Sequence, residues 1–386
     1  MNTIYLDASA TTQMDKEVFR EMQKFFKNEY GNAGSMHHKG LVVSNALMNS
    51  RKRVAEIFNA KENEIIFTGS GTESINLAIK GYALKNKSKG NHIITTTIEH
   101  HSVLESLEYL RKQGFEITKV GVEKNGIVDP KKIKSAIREN TILISVMYAN
   151  NEIGTIQPIN EISKIAKKKK IVFHTDACQA VNSEDLNINA DLISINASKI
   201  YGPKGVGALY KKEDIQLEPL IHGGGQEFNT RGGTENIPNI IGLAKALELT
   251  QKNKKDYSKL EKLRDYMIEN LLKIEDTILN GDKENRVPNN INITFLNIEG
   301  ESILLKLDNE GICASSGSAC TSKSLDASHV ILATGQSEKV AHGSIRFSLT
   351  KYTTKKELDR VIKLMKKIVK ELRGISPVHL KKDDLE

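Results

Sequence analysis

Polar residues with chemical potential stand where one apolar segment after another ends. Gly69-Ser70-Gly71-Thr72 follows Ile65-Ile66-Phe67 and opens a helical pattern. Glycines there let the main chain approach an anion, and a helix start offers N–H groups and the positive end of its dipole. Taken alone, a turn in which Thr72 caps the helix accounts for the same residues equally well. His100 and His101 follow the next apolar run; one imidazole can stack on a ring or move a proton, though a histidine pair is more often structural. Asp176 and Gln179 follow Ile171-Val172-Phe173, where a carboxylate can pair with a cationic ring nitrogen or cap the segment after it. Lys199 lies between Leu192-Ile193-Ser194-Ile195 and the turn Tyr201-Gly202-Pro203. A lysine withdrawn from water becomes nucleophilic and can form a Schiff base. An anion loop, an acid and an amine in succession are the parts of a pyridoxal-phosphate site.

Two further residues extend this set. Cys320 sits in Ser315-Ser316-Gly317-Ser318-Ala319-Cys320-Thr321-Ser322, a run of small polar residues that predicts an exposed, mobile loop. A thiol so placed can take a group from a substrate and carry it away. Cys313 reads as core, and Cys178 as packing beside the carboxylate of Asp176. Arg346, in Ile345-Arg346-Phe347-Ser348, offers a fork suited to an amino-acid carboxylate, with a salt bridge as the plainer alternative.

The elements that must position these residues alternate. Apolar runs at 65–67, 93–94, 142–146, 171–173, 192–195 and 207–210 read as strands, separated by amphipathic helices such as that through Val103, Leu104, Leu107 and Leu110. This predicts an α/β fold with a mostly parallel sheet covered on both faces, and ligands in such sheets gather at the carboxyl ends of the strands. After about residue 236 the pattern changes. Helices through 243–249 and 257–274, a strand at 291–295, a helix at 302–307, a strand near 344–347 and a last helix at 354–372 predict a smaller α+β unit. The tail from Leu380 to Glu386 reads as frayed.

Composition narrows the class. The chain has 386 residues, enough for one large and one smaller domain. Aromatics are 5% with no Trp, few for a protein that stacks nucleic-acid bases, so no direct nucleic-acid contact is expected. The net charge of +8 reads as a lysine-rich surface, with steering of anionic partners as the sharper alternative. Lys167 to Lys170 read as the solvated end of a helix. Three cysteines without CxxC spacing or clustered histidines predict neither a disulfide framework nor a metal site. No basic-then-apolar leader and no membrane-length apolar run are present, so a cytoplasmic protein is expected.

The sequence closely resembles the cysteine desulfurases of the group serving iron–sulfur cluster assembly and nitrogen fixation, from Tyr5-Leu6-Asp7 to about Pro377. The matching stretches include Ala10-Thr11-Thr12, Glu99-His100-His101, Asn150-Asn151-Glu152-Ile153-Gly154, Asp176-Ala177-Cys178-Gln179, Tyr201-Gly202-Pro203-Lys204-Gly205, Arg231-Gly232-Gly233-Thr234-Glu235-Asn236, the loop from Ser316 to Ser322, and Arg346-Phe347-Ser348. The resemblance implies a fold-type-I pyridoxal-phosphate homodimer, with a large domain over 13–250 built on a seven-stranded sheet. The small domain is formed by 1–12 and 251–386. It implies that Lys199 carries the cofactor, His100 stacks on its ring and handles protons, Asp176 pairs with its ring nitrogen and Gln179 with its ring hydroxyl. Gly71, Thr72, Asn196 and Ser198 fall at the phosphate, with Thr234 reaching in from the second subunit. Asn151 and Arg346 match the ligands of the substrate carboxylate, and Cys320 the sulfur acceptor. The chain departs from the family at Ala8-Ser9 and Ala33-Gly34, where Asn-Asn and Pro-Ser are usual. It also has Asn196-Ala197-Ser198 where Ser-x-His precedes the lysine, which leaves less positive charge for a phosphate.

The expected reaction converts L-cysteine to L-alanine, leaves the sulfur on Cys320 as a persulfide, and passes it to an iron–sulfur scaffold or another acceptor, tRNA thiolation included. A selenocysteine lyase, another fold-type-I aminotransferase and an inactive scaffold paralogue are the alternatives. An aminotransferase has no use for a cysteine loop, and Lys199, Asp176 and Cys320 speak against the paralogue.

Overall fold

The structure is a computed structural model, and it describes residues 3–252, 254–316, 327–377 and 379–382. In chain order the strands are β1 (Ile4–Tyr5), β2 (Ile65–Thr68), β3 (His92–Thr96), β4 (Glu116–Val120), β5 (Thr141–Ser145), β6 (Val172–Asp176), β7 (Leu192–Asn196), β8 (Gly207–Lys211), β9 (Thr277–Leu279), β10 (Asn290–Phe295), β11 (Ile312–Cys313), β12 (Ser315–Ser316) and β13 (Ser344–Ser348).

Seven of them form one sheet in the order β2-β8-β7-β6-β5-β3-β4, parallel except where β8 pairs with β2 and β7. β2, β3 and β5 are buried along their whole length, as strands sandwiched between helix layers must be. The edge strand β4 went unread in the sequence because its burial is partial: Glu116 and Lys119 are exposed and only Val120 is buried. Two N-terminal helices, Lys16–Lys27 and His38–Phe58, also lacked a sequence reading. Val18, Met22 and Phe25 on the first and Val43, Leu47, Val54 and Phe58 on the second have the three-to-four spacing of a buried stripe. The lysine run ends the helix Ile159–Lys169, with Lys170 left-handed at its C-cap (φ 57°).

A four-stranded antiparallel sheet, β12-β13-β10-β9, carries the second unit. Its apolar cluster joins Ile4 and Leu6 to Met267, Ile293, Phe295, Phe347, Val361 and Met365, so the two chain ends share one core. Two expectations change here. Cys313 is half-buried rather than core, because β11 is a two-residue strand beside β1. The tail is anchored as far as it is described: Asn297 holds both the N–H and the carbonyl of Leu380, and the Lys382 N–H donates to Asp276. No helix among the described residues is long and apolar enough to cross a membrane.

Candidate active site

A cavity of about 330 Å³ opens where β2, β3, β6 and β7 end. Its lining brings together Gly71, Thr72, His100, Asn151, Asp176, Gln179, Asn196, Lys199 and Arg346. These residues lie as far apart in sequence as Gly71 and Arg346, and most converge because parallel strands deliver their carboxyl ends to one edge.

Each side chain is held by local structure. Asp176 is the last residue of β6, buried at 6% exposure, and its Oδ1 accepts the Cys178 N–H at 2.9 Å. Beneath it His174 is wedged between Ser145 Oγ (2.8 Å) and Ser194 Oγ (3.0 Å), and burial pushes its imidazole down to about 3. It is therefore neutral and ties β6 to both neighbours. Lys199 closes the short turn Ala197–Lys199 after β7, which Asn196 caps by accepting the Ser198 N–H. The Lys199 Nζ donates to the carbonyls of Ser9 (2.8 Å) and Ala10 (2.5 Å). Gln179 donates to the same Ser9 carbonyl at 3.0 Å.

His100 caps the helix His101–Lys112. Its Nδ1 accepts the Ser102 N–H at 3.1 Å, and a main-chain N–H can only donate, so the ring proton of the neutral form sits on Nε2. Burial holds this imidazole below the usual histidine range, with the Asp176 charge opposing.

The helix Gly71–Asn76 differs from expectation in its cap. Ser70, not Thr72, is the N-cap and accepts the Glu73 N–H at 3.1 Å. Thr72 is thereby left in the first turn with its side chain exposed to the cavity. A Cβ on Gly71 would lie 2.9 Å from the Cys178 Sγ and 3.1 Å from the Asn196 Cβ, so only glycine lets the helix start come this close. Cys178 is thus a buried packing thiol, and burial raises its pKa well above the usual value.

The facing side is built by the second unit and by turns. Arg346 on β13 is 2% exposed; it donates to Asp7 Oδ1 at 2.9 Å and to the Asn151 carbonyl at 3.0 Å, and its buried Nε has no partner among the described residues. Asn151 lies in a turn organised by Asn150, whose Oδ1 accepts the Glu152 and Ile153 N–H groups. Gly154 (φ 75°) ends that turn against Asn290. Ser198 and Thr234 do not line the cavity: the Ser198 hydroxyl donates to Asn196 Oδ1, and Thr234 is exposed elsewhere. Cys320 and the rest of 317–326 lie outside the described residues.

Sequence reasoning missed several residues here. Glu152 lines the cavity and accepts a hydrogen bond from Ser328; burial lifts its carboxyl to about 7. Glu99, fully buried just after β3, accepts from Thr96 Oγ1 (2.6 Å) and the Met147 N–H, and burial lifts it to about 8. His329 lines the cavity too, its ring 4.9 Å from that of His101 and its Nε2 on the Glu99 carbonyl at 3.0 Å. Burial of the glutamates was the signal that no residue type announces.

The arrangement fits a pyridoxal-phosphate group. A helix start without a Cβ, a threonine hydroxyl, a carboxamide, an amine, a carboxylate and an imidazole line one cavity. The model of the aminotransferase class-V family matches residues 4–361. A cysteine desulfurase IscS of Dictyoglomus turgidum is 52% identical over 379 residues, covering 97% of this chain and 96% of its own length. A cysteine desulfurase IscS of Methanosarcina thermophila is 49% identical over 379 residues, covering 97% and 94%. The chain belongs to the cysteine desulfurases. Among solved structures a NifS-like protein superposes with a TM-score of 0.91 at 36% identity, covering 96% of this chain and all of that one. A structure titled "SspA in complex with cysteine" superposes at 0.80 with 35% identity, covering 91% and 100%. Members of this desulfurase family are pyridoxal-phosphate enzymes, and the α/β fold with its mostly parallel sheet is theirs.

Proposed function

We propose that this desulfurase converts L-cysteine to L-alanine and stores the sulfur on Cys320, in a site whose roles follow the cavity's geometry. The observation that carries the reading is the convergence of Lys199, Asp176, His100 and Arg346 on one cavity. When bound, the cofactor supplies an electron sink for the carbon from which a proton is removed. Lys199 binds it and exchanges the α-proton, and Asp176 keeps the ring nitrogen protonated. His100, neutral with its proton on Nε2, offers that proton to the cavity. Gly71, Thr72 and Asn196 serve the phosphate, with Ser198 holding Asn196 from outside the cavity, Gln179 the ring hydroxyl, and Arg346 with Asn151 the substrate carboxylate. The Cys320 thiolate attacks the substrate sulfur; the C–S pair passes to carbon, which is protonated, and an S–S bond forms. The balance is Cys320–SH plus L-cysteine giving Cys320–S–SH plus L-alanine.

The finer assignments belong to the same proposal. The separate core that joins Ile4 and Leu6 to residues 260–372 supports a large unit over 13–250 and a small one over 1–12 and 251–386. Exposure of Thr234 away from this chain's cavity suits a residue that serves the other subunit of a homodimer. The protein is read as cytoplasmic, a sulfurtransferase that supplies iron–sulfur cluster assembly or tRNA thiolation. The test is to incubate the purified protein with L-cysteine, quantify L-alanine and map the persulfide by mass spectrometry. Alanine and a Cys320 persulfide in equal amounts are expected; a keto acid instead, or a persulfide on Cys313, overturns the reading. Trapping a mixed disulfide at Cys320 identifies the acceptor.

A further inference from the structure

The segment 7–12 contributes no residue with an assigned chemical role, yet it touches three that have one, Lys199, Gln179 and Arg346. Asp7 holds Arg346. The Ser9 carbonyl receives both Gln179 and the Lys199 amine, and the Ala10 carbonyl receives that amine again. Thr12 binds the main chain on both sides of the lysine. Its N–H (2.8 Å) and hydroxyl (3.0 Å) donate to the Ser198 carbonyl, and its Oγ1 accepts the Tyr201 N–H at 2.7 Å. Tyr201 is left-handed, with φ 62°, a conformation that costs a bulky residue energy and persists only when its surroundings impose it. The strap is itself tied down where the Ser9 N–H donates to Ser348 Oγ at 2.9 Å, on the same strand as Arg346.

We propose that residues 7–12 form a docking strap for the Lys199 amine, with Thr12 as its positioning residue. The carbonyls of Ser9 and Ala10 hold the amine whenever it is not covalently engaged, and Thr12 fixes the turn that aims it. The inference rests on the reading of the cavity as a cofactor site. A lysine has four rotatable side-chain bonds, so an undirected amine spends little time in reacting geometry. Two fixed carbonyl acceptors and a clamped main chain remove that freedom before the reaction begins. The strap therefore acts on the covalent step, in which the amine joins the cofactor aldehyde and water leaves, and not on non-covalent binding of the ring and phosphate.

Two ligands separate these steps. Pyridoxal phosphate binds and reacts, whereas pyridoxine 5′-phosphate has an alcohol in place of the aldehyde and only binds. The cofactor-free full-length protein is titrated with each, following absorbance for the first and heat for both. Thr12→Val is expected to slow covalent uptake of pyridoxal phosphate about tenfold and to leave the affinity for pyridoxine 5′-phosphate unchanged. Thr12→Ser, which keeps the hydroxyl, restores the wild-type rate. Ser348→Ala, which slackens the strap at Ser9, gives the same split on a smaller scale and keeps the test open should Thr12→Val not fold. Equal losses for both ligands, or no change for either, overturn the strap. A wild-type protein that binds neither ligand brings down the cofactor reading, and the strap with it.

Discussion

The wall of the cavity made by the large sheet and the wall that faces it use different materials. On the first, Asp176, Lys199, His100 and Gly71-Thr72 each end a buried strand or follow one within a few residues, and three of them are set by a local contact: Asp176 by the Cys178 N–H, His100 by the Ser102 N–H, the Lys199 turn by Asn196, with only the Lys199 amine reaching far along the chain, to Ser9 and Ala10. On the second, Arg346 depends on Asp7 and Asn151, 339 and 195 positions away, and Ser328 depends on Glu152, 176 away. Chemistry on the first wall is a matter of which side chain ends a strand. Chemistry on the second is a matter of how distant segments are brought into register.

The largest effects are expected at the two residues proposed to carry the reaction itself. Lys199→Ala and Cys320→Ala should each lower alanine formation by at least about 10³-fold, and they should fail differently. The lysine variant loses the absorbance of covalently bound cofactor, while the cysteine variant keeps the colour and makes no persulfide. Persulfide formation undiminished in Cys320→Ala would refute the assignment of that thiol. On the facing wall Arg346→Ala should raise KM for L-cysteine by roughly 10- to 100-fold, the worth of a charge-assisted hydrogen bond, with a smaller change in kcat. A fall in kcat at constant KM would move Arg346 from substrate binding to support of Asp7.

Gly71→Ala probes the first wall at its tightest point. The new Cβ would press on the Cys178 Sγ and the Asn196 Cβ, pushing the helix start away from the cavity. Cofactor affinity should fall by about tenfold or more, within the 1–3 kcal/mol typical of overpacking. Adding Cys178→Ala removes the closer of the two contacts and should recover part of the loss. Equilibrium dialysis of the cofactor measures both. An unaffected Gly71→Ala would mean that the helix start does not need this approach.

The same contrast explains what the sequence disclosed. The strands β2, β3 and β5 to β8 and the residues at their ends were legible because burial on both faces leaves unbroken apolar runs, and the polar residue that ends a run stands out. The edge strand β4 was not, since one solvated face dilutes its pattern to Glu116-Ile117-Thr118-Lys119-Val120. Docking of Lys199 on Ser9 and Ala10 was invisible in principle: the acceptors are main-chain carbonyls, and any residue supplies one. Whether Thr72 caps the helix or faces a ligand was open in the sequence because Ser70, two residues earlier, is an equally good cap and only geometry chooses. Glu99 and Glu152 are ordinary acids in sequence; full burial alone makes them unusual.

Those two glutamates give the smallest expected effect and a direct measure of how closed the seam between the walls is, since Glu99 follows β3 on the first and Glu152 accepts from Ser328 on the second. Burial lifts Glu99 to about 8 and Glu152 to about 7, from an ordinary 4.5. Between the unfolded and folded values the folded state keeps a proton that the unfolded state has released. Their stabilising contribution is therefore complete below about pH 4.5 and is lost as pH rises through 7 for Glu152 and 8 for Glu99. Each proton tilts stability downward by up to about 1.4 kcal/mol per pH unit. Below pH 6.5 buried His174, held near 3, works in the opposite sense, because the unfolded state binds the proton there. His100 and His329, both lowered by burial, act with it. The clean window is thus about pH 7 to 8, where Glu99 remains as the main contributor of this group. Thermal unfolding of the cofactor-free protein should give a Tm that falls across that window. Glu99→Gln, which keeps an oxygen for Thr96 and the Met147 N–H, should flatten the fall by a few degrees at most. Parallel profiles for the two proteins would mean that water reaches the Glu99 carboxylate, and that the seam is open to solvent.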